Sequence, residues 1–263
     1  MRVLDTDTIE IISFHDLPPK PYVILSHTWG DDEVSFQEMM AANGGGDSTN
    51  QMRARIVTKQ GFKKIWETCI KAKEDGFSYA WIDTYCIDKQ SSSELSESIN
   101  SMYRWYQESS ICYAYLVDVP TAARVVDYWD EEYFDREGLF RSSRWFTRGW
   151  TLQELLAPEV VEFYASDWTE IGTKSSLTAH IARITKIEKE VLSGTRPIWS
   201  CCAAEKLSWA ASRETTRKED AAYSLLGIMD VHLPLIYGEG SEAFLRLQRA
   251  MIMESEDYSL LLP

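Results

Sequence analysis

Histidine and cysteine are scarce. Four His and five Cys are scattered through 263 residues, and no spacing typical of a zinc site appears among them. The odd Cys count and irregular spacing argue against a disulfide framework, and the adjacent Cys201-Cys202 pair does not bridge easily in ordinary geometry. Basic charge is also short: 27 Lys and Arg face 41 Asp and Glu, a net charge of −14. A nucleic-acid binder usually carries a basic face, so nucleic acid is not an expected partner, although a local basic pocket for a phosphate is compatible with this balance. No apolar run approaches transmembrane length. Met1-Arg2-Val3-Leu4-Asp5 is not a signal peptide, and no Walker-type nucleotide motif is present. These absences lead us to expect a cytoplasmic protein with reduced thiols, no bound metal and no resident cofactor. No internal repeat is evident.

What is present is core-forming. Hydrophobic residues make up 44% and aromatics 12%, with ten Trp, which describes a folded chain with enough length for one large domain or two small ones. Residues 1–20 read as an extended lead-in. Residues 22–26 (YVILS) are a continuous apolar run of strand formers, as suits a strand buried on both faces of a parallel sheet. A polar, aromatic loop follows, Ser26-His27-Thr28-Trp29-Gly30. After the Gly-rich segment 41–50, a helix is predicted over 61–75, then a strand over 77–82 ending at Asp83. A capping box at Ser91–Glu94 opens another helix, with Leu95, Ile99, Met102, Tyr103 and Tyr106 on one face, and a third strand covers 111–117. The acidic segment 120–143 reads as an insertion, and 160–164 as a fourth strand. This alternation predicts a parallel sheet with helices on both faces. Beyond Trp168 no further strand is expected, only helices near 175–183, 187–193, 203–212, 218–228 and 240–254. The end at Leu260-Leu261-Leu262-Pro263 reads as a domain cut from a longer protein.

The chemistry-bearing stretch is Arg144-Trp145-Phe146-Thr147-Arg148-Gly149-Trp150-Thr151-Leu152-Gln153-Glu154. Gly149 breaks the backbone before a short helix that Pro158 stops. Trp150 and Glu154, four apart, share a face of it. A carboxylate beside an indole suits a ribose and a flat base, and an apolar wall raises its pKa. A core Trp with an exposed Glu paired to Arg144 or Arg148 fits the same residues. Trp29 fits either a stacking surface or a core plug, and His27 or Ser26 can hold a phosphate or ribose. Asp83 fits a ribose contact or a loop cap. Arg144 and Arg148 can neutralise a pyrophosphate or pair with the acidic insertion. Cys86 has no identifiable orienting partner and is read as a buried thiol rather than a nucleophile.

Five blocks carry a family resemblance: 22–30 (YVILSHTWG), 81–88 (WIDTYCID), Glu94 to Trp105, Arg144 to Pro158, and 215–227 (TTRKEDAAYSLLG) with Tyr237-Gly238-Glu239-Gly240. Together they resemble the heterokaryon-incompatibility (HET) domain of filamentous fungi over nearly the whole chain. HET domains typically open larger proteins, often ahead of a nucleotide-binding oligomerisation domain and a repeat domain, and trigger cell death when non-self is sensed. That family is in turn similar to TIR domains, which have a flavodoxin-like fold. The TIR first strand and loop match 22–30, its aromatic-isoleucine-aspartate signature matches Trp81-Ile82-Asp83, and its tryptophan and glutamate four apart match Trp150 and Glu154. In TIR enzymes that glutamate is required to cleave NAD. The resemblance implies an α/β, TIR-like core over 1–168 with an insertion at 120–143, and a helical extension over 169–263, one HET domain overall. It implies Glu154 as the catalytic residue and Ser26, His27, Trp29, Gly30, Asp83, Arg144, Arg148 and Trp150 as substrate-binding residues, with NAD as substrate. The alternative it leaves open is a non-catalytic adaptor that signals by self-association. The insertion is long for a TIR domain, and the helical extension has no TIR counterpart. In a parallel sheet the loops after 22–26, 77–82 and 111–117 leave from one edge, so the named residues are expected to surround a single cleft, with the insertion bordering it.

Overall fold

In the computed structural model, which describes residues 1–42, 47–125, 138–254 and 259, seven strands join in one sheet of order β2-β1-β4-β3-β5-β6-β7. The strands are β1 (Arg2–Asp5), β2 (Ile11–Ser13), β3 (Tyr22–His27), β4 (Tyr79–Trp81), β5 (Ile111–Leu116), β6 (Val161–Ala165) and β7 (Glu170–Thr173). The predicted strands form the parallel centre: β3 pairs β4 and β5, and β5 pairs β6, all parallel. Every residue of β3 is buried, as its unbroken apolar run requires. The order β4-β3-β5-β6 follows the flavodoxin pattern and places β3 inside the sheet.

Two features of the sheet depart from the sequence reading. The lead-in is a hairpin: β1 pairs β2 and β4 antiparallel, with Val3 and Leu4 buried. A strand also follows Trp168: β7 pairs β6 antiparallel with a register irregularity at Phe163/Tyr164. Glu170-Ile171-Gly172-Thr173 carries a single apolar side chain and a glycine, so its own pattern cannot announce a strand, and the β6 ladder orders it instead.

The helices are α1 (Phe36–Ala42), α2 (Asp47–Ile56), α3 (Gln60–Glu74), α4 (Asp83–Cys86), α5 (Ser92–Gln107), α6 (Thr151–Leu156), α7 (Thr178–Thr185), α8 (Lys189–Leu192), α9 (Ala203–Ala210), α10 (Asp220–Tyr223), α11 (Leu226–Met229) and α12 (Glu242–Glu254). They lie on both faces of the sheet, and the alternation of β3 demonstrates it. The Tyr22 hydroxyl reaches Trp105 O on α5 at 2.5 Å and Ser26 meets Glu154 on α6, whereas His27 turns to the opposite face and meets Lys64 on α3. At the start of α5 the Ser91 side chain accepts from Glu94 N at 3.4 Å. The Glu94 carboxylate does not return to Ser91. It accepts from Asp88 N at 2.8 Å and binds Arg2, which ties the amino-terminal hairpin to this helix.

The helices after β7 dock closely on α5 and on the turn before α6. A side chain at Gly227 would bring its Cβ to 2.1 Å from Tyr103 Cβ, and one at Gly149 would stand 2.5 Å from Thr215 Cγ2. Gly149 therefore does more than interrupt the chain: its amide donates to Glu214 O at 2.9 Å, and Glu214 N donates to Thr147 O at 2.6 Å. The described flanks of the 120–143 insertion lie along the sheet near β6, where Phe140 packs edge-on against Phe146 and Phe163. Residues 126–137 of that insertion are outside the described residues.

Candidate functional site

A cleft of about 240 Å³ opens at the carboxyl edge of the parallel strands. It exceeds the roughly 150 Å³ that holds a benzene ring, so it admits a group larger than one ring. Its floor is α5, through Ile99, Met102 and Tyr106; one side is the loop after β3 and the start of α4; the other is α6 with residues 216–220 and Tyr237. His27, Trp29, Asp83, Arg148, Trp150 and Glu154, named from far-apart stretches, all line it.

Glu154 is 7% exposed and projects into the cleft from the same helical face as Trp150. Ser26 lies behind it: its hydroxyl donates to Glu154 Oε2 and accepts from Trp145 Nε1 at 2.8 Å. Ser26 thus supports the carboxyl and does not line the cleft. The Tyr106 proton can serve Leu25 O at 3.1 Å or the Glu154 carboxyl. Burial pushes the Glu154 carboxyl up to about 8; Ser26 opposes the rise, the Asp83 charge adds to it, and Tyr106 and Arg213 pull it down. A carboxyl that changes charge near neutrality is suited to general acid–base work and to meeting a cation.

Asp83, first residue of α4, is the opposite kind of acid. Its Oδ1 accepts from His27 Nε2 at 3.0 Å and its Oδ2 from Trp29 Nε1 at 2.9 Å, with Lys89 Nζ at 3.6 Å. Burial alone would raise it, yet Lys89, the His27 hydrogen bond and Lys64 hold it well below the usual carboxylate range. Burial and the neighbouring Lys64 lower His27. The ring is then neutral, with Nδ1 accepting from Lys64 Nζ at 2.7 Å and Nε2–H given to Asp83. Lys64 also donates to Glu33 at 2.5 Å. The cleft thus holds one carboxyl kept ionised beside one kept protonated, a separation of roles that acid–base sites use.

The remaining named residues divide. Trp29 is 52% exposed, so it does not plug the core, and Lys89 Nζ sits 3.4 Å from its ring centroid. Gly30 donates its amide to Glu33 at 2.9 Å in the turn and stays outside the cleft. Arg144 is a brace: it donates to Thr28 Oγ1 at 2.9 Å and to Trp29 O at 3.3 Å. Arg148 faces the cleft and donates to Thr216 Oγ1 at 3.0 Å. Cys86 is buried, and burial pushes its thiol up to about 12, which leaves it unreactive.

Sequence reasoning missed Lys89, Thr216, Arg217, Asp220 and Tyr237, which also line the cleft. Asp220 accepts from Tyr237 at 2.9 Å and hydrogen-bonds Trp150, so it fixes both aromatics. The blocks 215–227 and 237–240 did stand out as a family resemblance, but nothing in their spacing said which part of the fold they would meet. Arg213 was missed as well. Its Nη1 donates to Arg148 O at 2.8 Å and Thr151 Oγ1 at 2.9 Å, while Nη2 is buried without a partner among the described residues.

A family model described as "Heterokaryon incompatibility protein (HET)" matches residues 22–132. The vegetative incompatibility protein HET-E-1 of Podospora anserina is 45% identical over 258 residues, 96% of this chain. The chain spans only 18% of that relative's length. No solved structure matches the chain significantly. No described helix is long and apolar enough to cross a membrane. With the resembling blocks gathered around one cleft and a relative 45% identical over 96% of this chain, the chain belongs to the heterokaryon-incompatibility (HET) domain family.

Proposed function

We propose that this domain is a cell-death effector of heterokaryon incompatibility that acts in the cytoplasm by cleaving NAD to nicotinamide and ADP-ribose products, with Glu154 as the catalytic carboxylate. The observation that carries the reading is Glu154 itself: a buried carboxyl with a pKa near 8, facing an apolar cleft beside Trp150 and the ionised Asp83. Two acids in an aromatic cleft suit a cationic ring joined to a ribose.

The pyridinium of NAD is already a cationic leaving group and needs no general acid. As the bond from ribose C1′ to the ring nitrogen breaks, its electron pair neutralises the ring and positive charge passes to the ribose, as in an oxocarbenium-like transition state. The incoming cation favours the ionised form of Glu154, and the carboxylate stabilises the charge that develops on the ribose. Water then adds its oxygen to C1′ and gives up a proton, which Glu154 is placed to accept. Trp150 and Trp29 wall the cleft, and Ser26 keeps the Glu154 carboxyl aimed.

HET-E-1 is far longer than its matching part, and a nucleotide-binding oligomerisation region and a repeat sensor would control the effector through self-association. The test is nicotinamide release from NAD by purified, concentrated protein. Activity is expected in the parent and a loss of at least about a thousandfold in Glu154→Gln. Cell killing by a folded Glu154→Gln protein with cellular NAD intact would reject this reading in favour of the adaptor.

A further inference from the structure

Two guanidinium groups, Arg148 and Arg217, line the cleft together with Thr216 and Asp220, on chain segments other than those that bring Asp83 and its partner Lys89. Among the described residues neither guanidinium makes an ion pair with a carboxylate. The neighbouring acids Asp220 and Glu219 act on Arg217 through space only, and their hydrogen bonds go elsewhere: Asp220 to Tyr237 and Trp150, and Glu219 Oε1 to the amides of Gly238 and Gly240 at 2.8 and 2.9 Å. In a chain with 41 acidic and 27 basic residues, two such arginines along one cleft are not an ordinary solvated face.

Their placement is built in. The backbone exchange among Thr147, Gly149 and Glu214 carries Thr216 next to Arg148, whose Nη2 donates to Thr216 Oγ1 at 3.0 Å. That hydroxyl, accepting from Arg148, keeps its own proton to donate. The Arg217 guanidinium lies over the Tyr237 ring, 4.4 Å from its centroid, a cation–π contact that occupies none of its N–H groups and leaves them available to an oxyanion. We propose that Arg148, Thr216 and Arg217 form the seat for the diphosphate of a nucleotide, with Trp150 and Tyr237 as its adjoining wall. Two planar guanidinium groups and a hydroxyl match the several oxygens of a diphosphate, where bidentate pairing is possible. The seat deepens the NAD reading and rests on it only for the remainder of the ligand.

Calorimetric titration of the whole 263-residue chain with ADP, adenosine and pyrophosphate tests the seat without requiring cleavage. ADP is expected to bind about tenfold or more tighter than adenosine and to weaken as salt rises, because Thr216 and Arg217 are exposed. Pyrophosphate alone is expected to bind more weakly than ADP, which separates a nucleotide seat from a general anion site. Arg217→Gln and Arg148→Gln should each lower ADP affinity about tenfold and leave adenosine unchanged. Arg217→Lys, which keeps the charge, should retain part of the affinity and guards against a folding artefact. Equal affinity for ADP and adenosine, no detectable ADP binding, pyrophosphate binding as tight as ADP, or full ADP affinity in Arg217→Gln would overturn the proposal. ADP binding without nicotinamide release from NAD would leave the seat standing and remove the NAD reading.

Discussion

Glu154 and Asp83 are both shielded carboxyls of one cleft, yet their neighbours drive them apart. Glu154 faces a hydroxyl and a phenol, whereas Asp83 faces a lysine, an imidazole N–H and an indole N–H. The pKa of Glu154 rises from 4.5 to about 8, so the folded state holds a proton that the unfolded chain has lost between those values. The resulting stability is complete below pH 4.5 and is lost as pH rises through about 8. Glu154→Gln stays neutral throughout. Urea unfolding should find it equal to the parent near pH 4 and more stable at pH 9, by on the order of 5 kcal/mol. A difference independent of pH would contradict the assignment. The same ionisation should appear in catalysis, with kcat/KM for NAD rising with pH through about 8. Ser26→Ala removes a hydrogen bond to the charged form, so the midpoint should move higher and kcat/KM at pH 7 should fall about tenfold.

The decisive element is α6, only six residues long and too short to be stable alone. It is held from both ends. Thr151 and Arg213 tie its start to the turn before it, and Lys174 Nζ reaches Leu155 O at 3.3 Å and Pro158 O at its close. Burial lowers the Lys174 amine to about 8, a cost offset here by service to otherwise unsatisfied carbonyls. Lys174→Met should therefore destabilise the protein by about 1–3 kcal/mol in chemical denaturation. α11 shows how little clearance the docked helices have. With Tyr103 Cβ 2.1 Å from a Cβ placed at Gly227, Gly227→Ala must move α11 off α5 and should cost about 1–3 kcal/mol. An unchanged denaturation midpoint would show that α11 shifts freely.

Across the whole molecule, the sheet and the helices after it share one cleft. β7 continues the sheet beyond Trp168, and Arg217, Asp220 and Tyr237 complete the side that faces Trp29 and Asp83. A chain cut after Trp168 is expected to lose cooperative thermal unfolding and to bind no ADP. The intact chain is expected to unfold in a single transition, followed by circular dichroism at two wavelengths. A fragment 1–168 that unfolds cooperatively would show that the later helices are an accessory.

The sequence alone determined the four central strands, because a strand buried on both faces must be apolar at every position, as Tyr22–Leu25 and Ile111–Leu116 are. It also determined that Trp150 and Glu154 share a face, because helical spacing is a local property, and it indicated which strand ends would share an edge. Tertiary structure decided the rest. The edge strands β1, β2 and β7 are short and take their order from neighbours rather than from a pattern of their own. Ser26 turned out to stand behind Glu154, and Arg144 to brace the loop that carries Trp29. Those outcomes depend on which way a side chain leaves the backbone and what lies across from it. The side of the cleft formed by Thr216, Arg217, Asp220 and Tyr237 exists because two glycines let backbone and ring approach within contact of residues some 65 and 124 positions away in the chain, Gly149 to Glu214 and Gly227 to Tyr103. No periodicity along the chain encodes a meeting of that kind; it is set by the packing of surfaces that only the folded molecule possesses.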